Sequence, residues 1–217
     1  MSILYSYKNG VYIRLNDINY EEDEDIPESI YVNLTNNCPC TCTFCIRSSD
    51  KIKEFDDLWL KVEPTVQEVI NEIEKHDLSK YKEVIFCGYG EPLTRLEEIL
   101  EISNYLKGKR EDIDIRINTN GLGDLINKKE VAPLLSKTID SVSISLNASN
   151  AEEYLKITKS KFGIESYEAL LKFAVSCQKY LKDVRLTVVD IIGESEIKKC
   201  REICEKHNLN LKVRKFI

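Results

Sequence analysis

The chain has 217 residues, of which 42% are hydrophobic, and a formal net charge of −6. This length suffices for one well-buried domain, and the absence of a Lys- or Arg-rich block argues against a broad nucleic-acid-binding surface. No apolar segment approaches the roughly 20 residues that a membrane span needs, and the N-terminal residues lack a signal-peptide core. We therefore expect a cytoplasmic protein, in which the eight cysteines serve metal binding or packing and not disulfides.

The first segment of the chain is predicted to be a β-hairpin. Residues 5–15 alternate polar and apolar side chains around Asn9-Gly10, a dipeptide that favours a type I′ turn. An acidic stretch at residues 21–25 follows and is typical of a solvated linker. These patterns divide the chain into a hairpin at residues 1–20, a linker at residues 21–29 and a main domain at residues 30–217.

From residue 30 onwards, short apolar segments alternate with amphipathic ones. Such alternation is typical of parallel βαβ units with right-handed crossovers. We predict an open (β/α)6 partial barrel, with a doubly wound open sheet as the alternative; either fold places its active site at the carboxyl ends of the strands. Strands are predicted at residues 30–35, 83–87, 113–118, 141–146, 185–190 and 211–214, and helices at residues 65–76, 93–107, 130–135, 149–157, 167–181 and 194–207.

The loop after the first of these strands carries a dense group of cysteines. Cys38, Cys42 and Cys45 form a C-x3-C-x2-C motif, with Phe44 directly before the last cysteine. Three thiolates can hold three irons of a four-iron cubane and leave the fourth iron open, whereas an electron-transfer cluster has four protein ligands. Cys40 lies inside the motif, but the spacing is complete without it. We predict that Cys40 packs beside the ligands.

The other strand ends are also polar or rich in glycine, while the strand bodies are apolar. Glycines allow a ligand close to the backbone, a carboxylate can bind an ammonium group, and amides suit hydroxyl or carboxylate groups. Candidate binding residues at these ends are Gly88, Tyr89, Gly90 and Glu91, then Asn118 and Asn120, then Ser143, Ser145 and Asn147, and finally Ile192.

Two of these segments together resemble a known family. The sequence C-x3-C-x-Phe-C after the first strand and Gly-Tyr-Gly-Glu-Pro after the second resemble the radical S-adenosylmethionine (SAM) superfamily over residues 30–217. The cysteine loop, preceded by Tyr-Val-Asn-Leu-Thr, is most similar to that of the TatD-associated radical SAM proteins. The resemblance to this subfamily implies no specific reaction.

The resemblance implies a [4Fe–4S] cluster held by Cys38, Cys42 and Cys45, with SAM on the open iron. One electron then cleaves SAM to methionine and a 5′-deoxyadenosyl radical that abstracts hydrogen from a substrate, in an oxidoreductase or lyase reaction. It further implies that Phe44 shields the cluster, that Ile192 contacts the adenine, and that the SAM contacts are Gly88, Tyr89, Gly90, Glu91, Asn118, Asn120, Ser143, Ser145 and Asn147. Asn147 stands where many relatives have Asp and brings no charge.

The implied partners are an unidentified small-molecule substrate and an external electron donor resembling flavodoxin or ferredoxin. The subfamily resemblance implies a functional link to a TatD-like hydrolase. Arg47, Arg116 and Arg185 are candidates for a role at the active site, with exposed ion pairs as the alternative for Arg47 and Arg185.

Other interpretations of the cysteines remain. A zinc site would need a fourth ligand, and Cys40 is too close in sequence to Cys38 and Cys42 for all of them to surround one ion. Cys177, Cys200 and Cys204 could belong to a second cluster, although burial is the simpler explanation. For Cys87 we likewise expect burial.

Alternative functions also remain open at this stage. A glycyl-radical-enzyme-type activase, acting on a protein partner, uses the same cysteine motif but carries an Asp-x-Lys-like segment where this chain has Ser143 to Asn147. A deazaguanine-forming carboxylase would need a Thr near the last cysteine, where Ile46 stands. A non-enzymatic iron-sulfur or zinc binding module would not need the polar strand ends.

Overall fold

The computed structural model describes residues 3–8, 11–20, 27–48 and 58–216. These residues form a single sheet in which the strands follow the order β2-β1-β3-β4-β5-β6-β7-β8. The strands are β1 (Leu4–Lys8), β2 (Val11–Arg14), β3 (Ser29–Val32), β4 (Glu83–Phe86), β5 (Asp114–Thr119), β6 (Ser141–Ser145), β7 (Asp183–Val189) and β8 (Asn210–Arg214).

The pairing of the strands confirms the predicted open α/β fold with an N-terminal hairpin. Strands β3 to β8 are all parallel to one another, as βαβ units require. Strand β1 pairs antiparallel with both β2 and β3, so the hairpin covers one edge of the parallel sheet. The predicted Asn9-Gly10 turn and the acidic stretch at residues 21–25 lie outside the described residues. The division of the chain at residues 20 and 29 stays a prediction.

The helices fill the connections between the parallel strands. The short helix α3 was not predicted, because five residues give too few apolar repeats for a helical period to be recognised. The helices are α1 (Val66–Ile73), α2 (Leu96–Lys109), α3 (Gly123–Asn127), α4 (Ala132–Leu135), α5 (Ala151–Thr158), α6 (Glu165–Cys177) and α7 (Glu194–Lys206).

Local sequence explains where several of these helices begin. Thr65 caps α1 and forms a capping box with Glu68, while Val69 and Ile73 face the core. Pro92 begins a 3-10 turn that leads from β4 into α2, which starts only at Leu96 and not at the predicted residue 93. No helix within the described ranges is long and apolar enough to cross a bilayer.

Three cysteines of the helices lie in the hydrophobic core. Cys177 on α6 and Cys200 and Cys204 on α7 are all buried among apolar side chains. Burial raises the pKa of Cys204 to about 11, as expected for thiols in apolar surroundings. Their placement agrees with the packing role that we expected for them.

Asp140 joins elements at the amino-terminal side of the sheet. Its carboxylate accepts hydrogen bonds from the Lys107 ammonium at 2.7 Å, the Lys182 ammonium at 2.6 Å and the Ile115 N–H at 2.9 Å. Burial opposes ionisation, but these three donors lower the pKa of Asp140 below its ordinary value. The ionised carboxylate therefore stabilises the fold, and this contribution is lost as the pH falls through the native pKa.

We expect Asp140→Asn to lower the free energy of unfolding at pH 7 by about 1–3 kcal/mol, because hydrogen bonds to a charged group are replaced by weaker ones. Urea unfolding measures the change. The difference from wild type should shrink as the pH falls below about 4, where Asp140 becomes protonated in the unfolded chain. Asp112→Asn is the control, since Asp112 is 79% exposed in its pair with Arg110; an equal loss in both variants would contradict the assignment.

Candidate active site

A cavity of about 340 Å³ opens at the carboxyl ends of the strands. Volumes of this order are typical of small-molecule binding sites. Nine of the predicted site residues line it, namely Cys38, Cys42, Phe44, Cys45, Gly88, Tyr89, Asn120, Ser145 and Asn147. The structure therefore brings together loops that follow four different strands.

The cysteine loop rests on the carboxyl end of helix α5. The Thr41 N–H donates to the Thr158 carbonyl and the Thr43 N–H to the Ile157 carbonyl, each at 2.9 Å. The last carbonyls of a helix have no partner within the helix, so the loop supplies the donors that α5 lacks. These two hydrogen bonds hold the backbone between Cys40 and Cys45 against the carboxyl end of α5.

Cys40 lies between two of the predicted ligands. It is 2% exposed and lines the cavity together with them. Its hydrogen bonds to Cys38 and Cys42 lower the pKa of both thiols, that of Cys38 to about 6, and raise the pKa of Cys40 itself. Cys38 therefore favours the thiolate form near pH 7, which is the form that binds a metal, and the pKa of Cys42 is shifted in the same direction.

The Asn120 side chain lies next to the sulfur atoms of Cys38 and Cys40. Its oxygen accepts a hydrogen bond from the Leu122 N–H at 2.9 Å, which orients the amide. Its nitrogen then lies 4.0 Å from the Cys38 sulfur and 3.8 Å from the Cys40 sulfur. The amide therefore presents a donor toward the thiols, and thiolates are good acceptors of such weak hydrogen bonds.

Glu91 connects the loops that follow three neighbouring strands. Its N–H donates to the Asn37 carbonyl at 2.7 Å, next to the cysteine loop. Its carboxylate accepts from the Thr119 hydroxyl at 2.7 Å, from the Asn120 N–H at 2.7 Å and from the Leu93 N–H at 3.1 Å. Glu91 is 2% exposed, and burial raises its pKa to about 7 although the three donors favour the ionised form. Its carboxylate is thus occupied by the protein itself.

The two glycines before Glu91 allow this close contact. A Cβ atom on Gly90 would lie 2.4 Å from the Thr35 carbonyl oxygen, and one on Gly88 would lie 2.0 Å from the Asn33 side-chain oxygen. Such distances are far below van der Waals contact, so any side chain would push the cysteine loop away. The presence of glycine at positions 88 and 90 is therefore explained by packing between the loops as well as by access for a ligand.

Two residues of the cavity lining carry a buried polar atom that has no partner among the described residues. These atoms are the Asn147 side-chain oxygen and the Tyr154 hydroxyl. Asn147 is 5% exposed and Tyr154 is 1% exposed. A buried polar group without a partner costs free energy, and a ligand in the cavity would offset this cost if it supplied the missing hydrogen bonds.

Five predicted binding residues lie outside the cavity lining: Gly90, Glu91, Asn118, Ser143 and Ile192. Asn118 and Ser143 are register partners on β5 and β6 and share the face of Ser145, below the cavity. Ile192 packs against the core beside β7.

The three candidate arginines have protein partners. Arg116 lies 3.1 Å from Glu83 at the amino-terminal side of the sheet, so the expected role at the active site is wrong. Arg185 pairs with Asp183, and Arg47 donates to the Asn36 carbonyl at 2.9 Å. The alternation of side chains along β5 predicts that Arg116 and Asn118 share one face of the sheet. It does not predict how far along the strand Arg116 lies from the cavity.

Several lining residues were not predicted from the sequence. Tyr154 stands at a helical position whose periodicity is that of a core residue, and Tyr5 and Tyr12 stand in the predicted hairpin, outside the strand ends that carry the motifs. Arg214, Lys215 and Phe216 come from the end of β8. Arg214 could have been predicted as a lining residue, because it lies at the carboxyl end of a predicted strand. Cys87 also lines the cavity, where we had expected burial.

The described side chains do not form a site for a single metal ion. No three His, Cys, Asp or Glu residues among them converge as closely as one ion requires. A four-iron cubane takes one thiolate at each of several separate irons, so its ligands stand farther apart than those of tetrahedral zinc. Cys38, Cys42 and Cys45 all line the cavity, as the ligands of such a group would.

We expect Glu91→Gln to lower the free energy of unfolding by about 1–3 kcal/mol, because the amide nitrogen would face N–H or O–H donors in a buried position. Thermal or urea unfolding measures this loss. Glu97→Gln is the matched control, since Glu97 is 73% exposed in its pair with Lys129. Equal stability of the two variants would show that the Glu91 hydrogen bonds do not hold the loops together.

Comparison with known proteins connects this site to a family. The family model of the radical SAM superfamily matches residues 32–202. A probable GTP 3′,8-cyclase from Thermococcus kodakarensis is 31% identical over 172 residues, which are 78% of this chain and 50% of that protein. A GTP 3′,8-cyclase from Lactiplantibacillus plantarum is 26% identical over 207 residues, which are 91% of this chain and 57% of that protein. The chain thus spans about half the length of these curated relatives.

A solved structure shows the same fold. The crystal structure of Streptococcus suis SuiB bound to S-adenosylmethionine matches with a TM-score of 0.62 and 18% identity, over 88% of this chain and 39% of that chain. The superfamily uses a [4Fe–4S] cluster and SAM, and the relatives named above are enzymes. The match over residues 32–202, which includes the cysteine loop and most of the strand ends, shows that the chain belongs to the radical SAM superfamily.

Proposed function

We propose that this protein is a radical SAM enzyme that abstracts a hydrogen atom from a small-molecule substrate. The cavity at the strand ends, which collects the three motif cysteines and two buried polar atoms without partners, is the observation that carries the proposal. When bound, the cluster and SAM supply a one-electron cleavage that yields the hydrogen-abstracting radical. The protein holds these groups and excludes water from them.

The residues present fit a cluster with one open iron. Cys38, Cys42 and Cys45 offer one thiolate each to three irons, and all three line the cavity. Cys40 would remain a neutral thiol beside the ligands, consistent with the raised pKa that its hydrogen bonds to Cys38 and Cys42 cause. Phe44 lines the cavity next to Cys45 and would shield the cluster from solvent.

The remaining polar groups of the cavity would hold SAM. Asn147 and Tyr154 present unpartnered oxygen atoms, and Ser145 lies beside them in the lining. Gly88 and Tyr89 offer backbone groups there, while Gly90 and Glu91 position this segment against the cysteine loop. Contacts from Asn118, Ser143 and Ile192 remain predictions from the sequence.

The reaction partners are proposals as well. An external reductant of the flavodoxin or ferredoxin type would supply the electron, and the eight free cysteines support a cytoplasmic, reducing location. The names of the curated relatives make GTP one substrate to test. The cysteine loop supports a functional link to a TatD-like hydrolase only through its likeness to TatD-associated proteins.

Anaerobic reconstitution should give about four irons per chain, and reduction with dithionite in the presence of SAM should release 5′-deoxyadenosine. We expect Cys42→Ala to abolish cluster binding, because one iron loses its ligand, whereas Cys40→Ala should retain it. Iron content and absorption near roughly 400 nm measure the outcome. Zinc as the sole bound metal, a cluster that does not cleave SAM, or equal loss in both variants would contradict the proposal.

We expect Tyr154→Phe to weaken SAM binding about 3- to 10-fold, which corresponds to the loss of one hydrogen bond. The same change should leave the stability of the cofactor-free protein equal or slightly higher, because it removes a buried hydroxyl that has no partner. Equilibrium binding of SAM and thermal unfolding measure the two effects.

Tyr167→Phe provides a matched control for this variant. Tyr167 is also buried with an unpartnered hydroxyl, and its ring centre lies 5.7 Å from that of Tyr154, but it does not line the cavity. SAM affinity should be unchanged in Tyr167→Phe. An equal loss of affinity in both variants would assign the effect to packing in the tyrosine pair, and no loss in either would remove Tyr154 from the binding site.

A further inference from the structure

The cavity extends between the two edges of the sheet. Strands β2 and β8 stand at opposite ends of the strand order, yet Tyr12 from β2 and Arg214 from β8 line the same cavity. Burial raises the pKa of Tyr12, and the charge of Arg214 in the same cavity acts against that rise. The sheet therefore curves until its edges face each other across one side of the cavity.

The hairpin forms an aromatic wall on this side. The Tyr5 ring stacks on Tyr31 with ring centres 5.1 Å apart and meets the edge of Tyr12 at 5.6 Å. The Tyr5 hydroxyl donates to the Cys87 carbonyl at 3.0 Å, which fixes the ring against β4. Tyr5 is 3% exposed and therefore supports the wall from behind, while the half-buried Tyr12 lines the cavity with apolar ring surface.

The opposite edge of the sheet, at the end of β8, contributes positively charged side chains to the cavity. Among the described residues that line the cavity, Arg214 and Lys215 are the two with a cationic side chain, and none is an Asp or a Glu. Neither residue forms an ion pair with any other described residue. The segment is held by the Phe216 N–H, which donates to the Asp190 side chain at 2.9 Å. Two cations at this edge, with no described acidic side chain beside them in the lining, favour an anionic ligand, although the chain as a whole has a net charge of −6.

We infer that the cavity between β2 and β8 is a substrate subsite for a small molecule with a planar apolar body and an anionic group, a carboxylate or a phosphate. Arg214 and Lys215 bind the anionic group, and the body lies against Tyr12, whose ring is supported by Tyr5. This inference rests on the proposed function, since it assigns the substrate side of the same cavity. Arg214 binds planar anions in a bidentate manner, and Lys215 adds a point charge.

Two pairs of probes test the inference on the reconstituted protein with SAM bound: indole-3-acetate with indole-3-acetamide, and guanosine 5′-monophosphate with guanosine. In at least one pair the anion should bind about tenfold or more tightly than its neutral partner, as expected for hydrogen bonds to a charged group. A preference in the indole pair indicates a carboxylate, and one in the guanosine pair a phosphate. Equal binding within both pairs overturns the inference.

Two single substitutions test whether Arg214 causes the preference for the anionic probe. Arg214→Gln should reduce the preference for the anion to about threefold or less, because Lys215 alone gives a weaker, undirected contact, and should leave the neutral probes and SAM unaffected. Lys212→Gln is the control, since Lys212 is an exposed residue of the same strand that does not line the cavity. An equal effect of both variants would show a general charge effect and overturn the inference. Release of 5′-deoxyadenosine, measured separately, reports on the proposed function and not on this subsite.

Discussion

Glu91 ties the ends of three strands into one structure. Its backbone binds Asn37 after β3, its own loop follows β4, and its carboxylate binds Thr119 and Asn120 after β5. Because the carboxylate is buried and fully used, these loops cannot shift independently without leaving donors unsatisfied. The position of the cysteine loop, and hence of any cluster on it, depends on this one side chain and on the glycines that allow its approach.

Helix α5 provides the second support for the site. Its last carbonyls bind the Thr41 and Thr43 N–H groups, so the loop and the helix complete each other's hydrogen bonds. The same helix places Tyr154 below the cysteines with its hydroxyl unpartnered. A strictly structural helix would gain stability by burying Phe there. The retained hydroxyl, like that of Asn147 nearby, is explained if a ligand supplies the missing hydrogen bond.

The two sides of the cavity differ in chemistry. The side near β3 to β6 collects thiols, amides and glycines, whereas the side between β2 and β8 collects tyrosines and two cations. This division matches an enzyme in which the cofactor is held at the strand ends and the substrate is selected at the edges of the sheet. The edges are irregular additions to the parallel core, so substrate choice can vary without disturbing the cofactor site.

Local sequence determined the alternation of strands and helices, the cysteine motif and the polar strand ends, because apolar periodicity and residue spacing act over a few positions. It therefore predicted Cys38, Cys42, Cys45, Asn120 and Asn147 as neighbours of one site. Only the tertiary structure decided that the Glu91 carboxylate binds the protein itself, that Arg116 pairs with Glu83, and that Tyr12 and Arg214 line one cavity. These depend on strand register and on the curvature of the whole sheet, which arise from contacts between residues far apart in the chain.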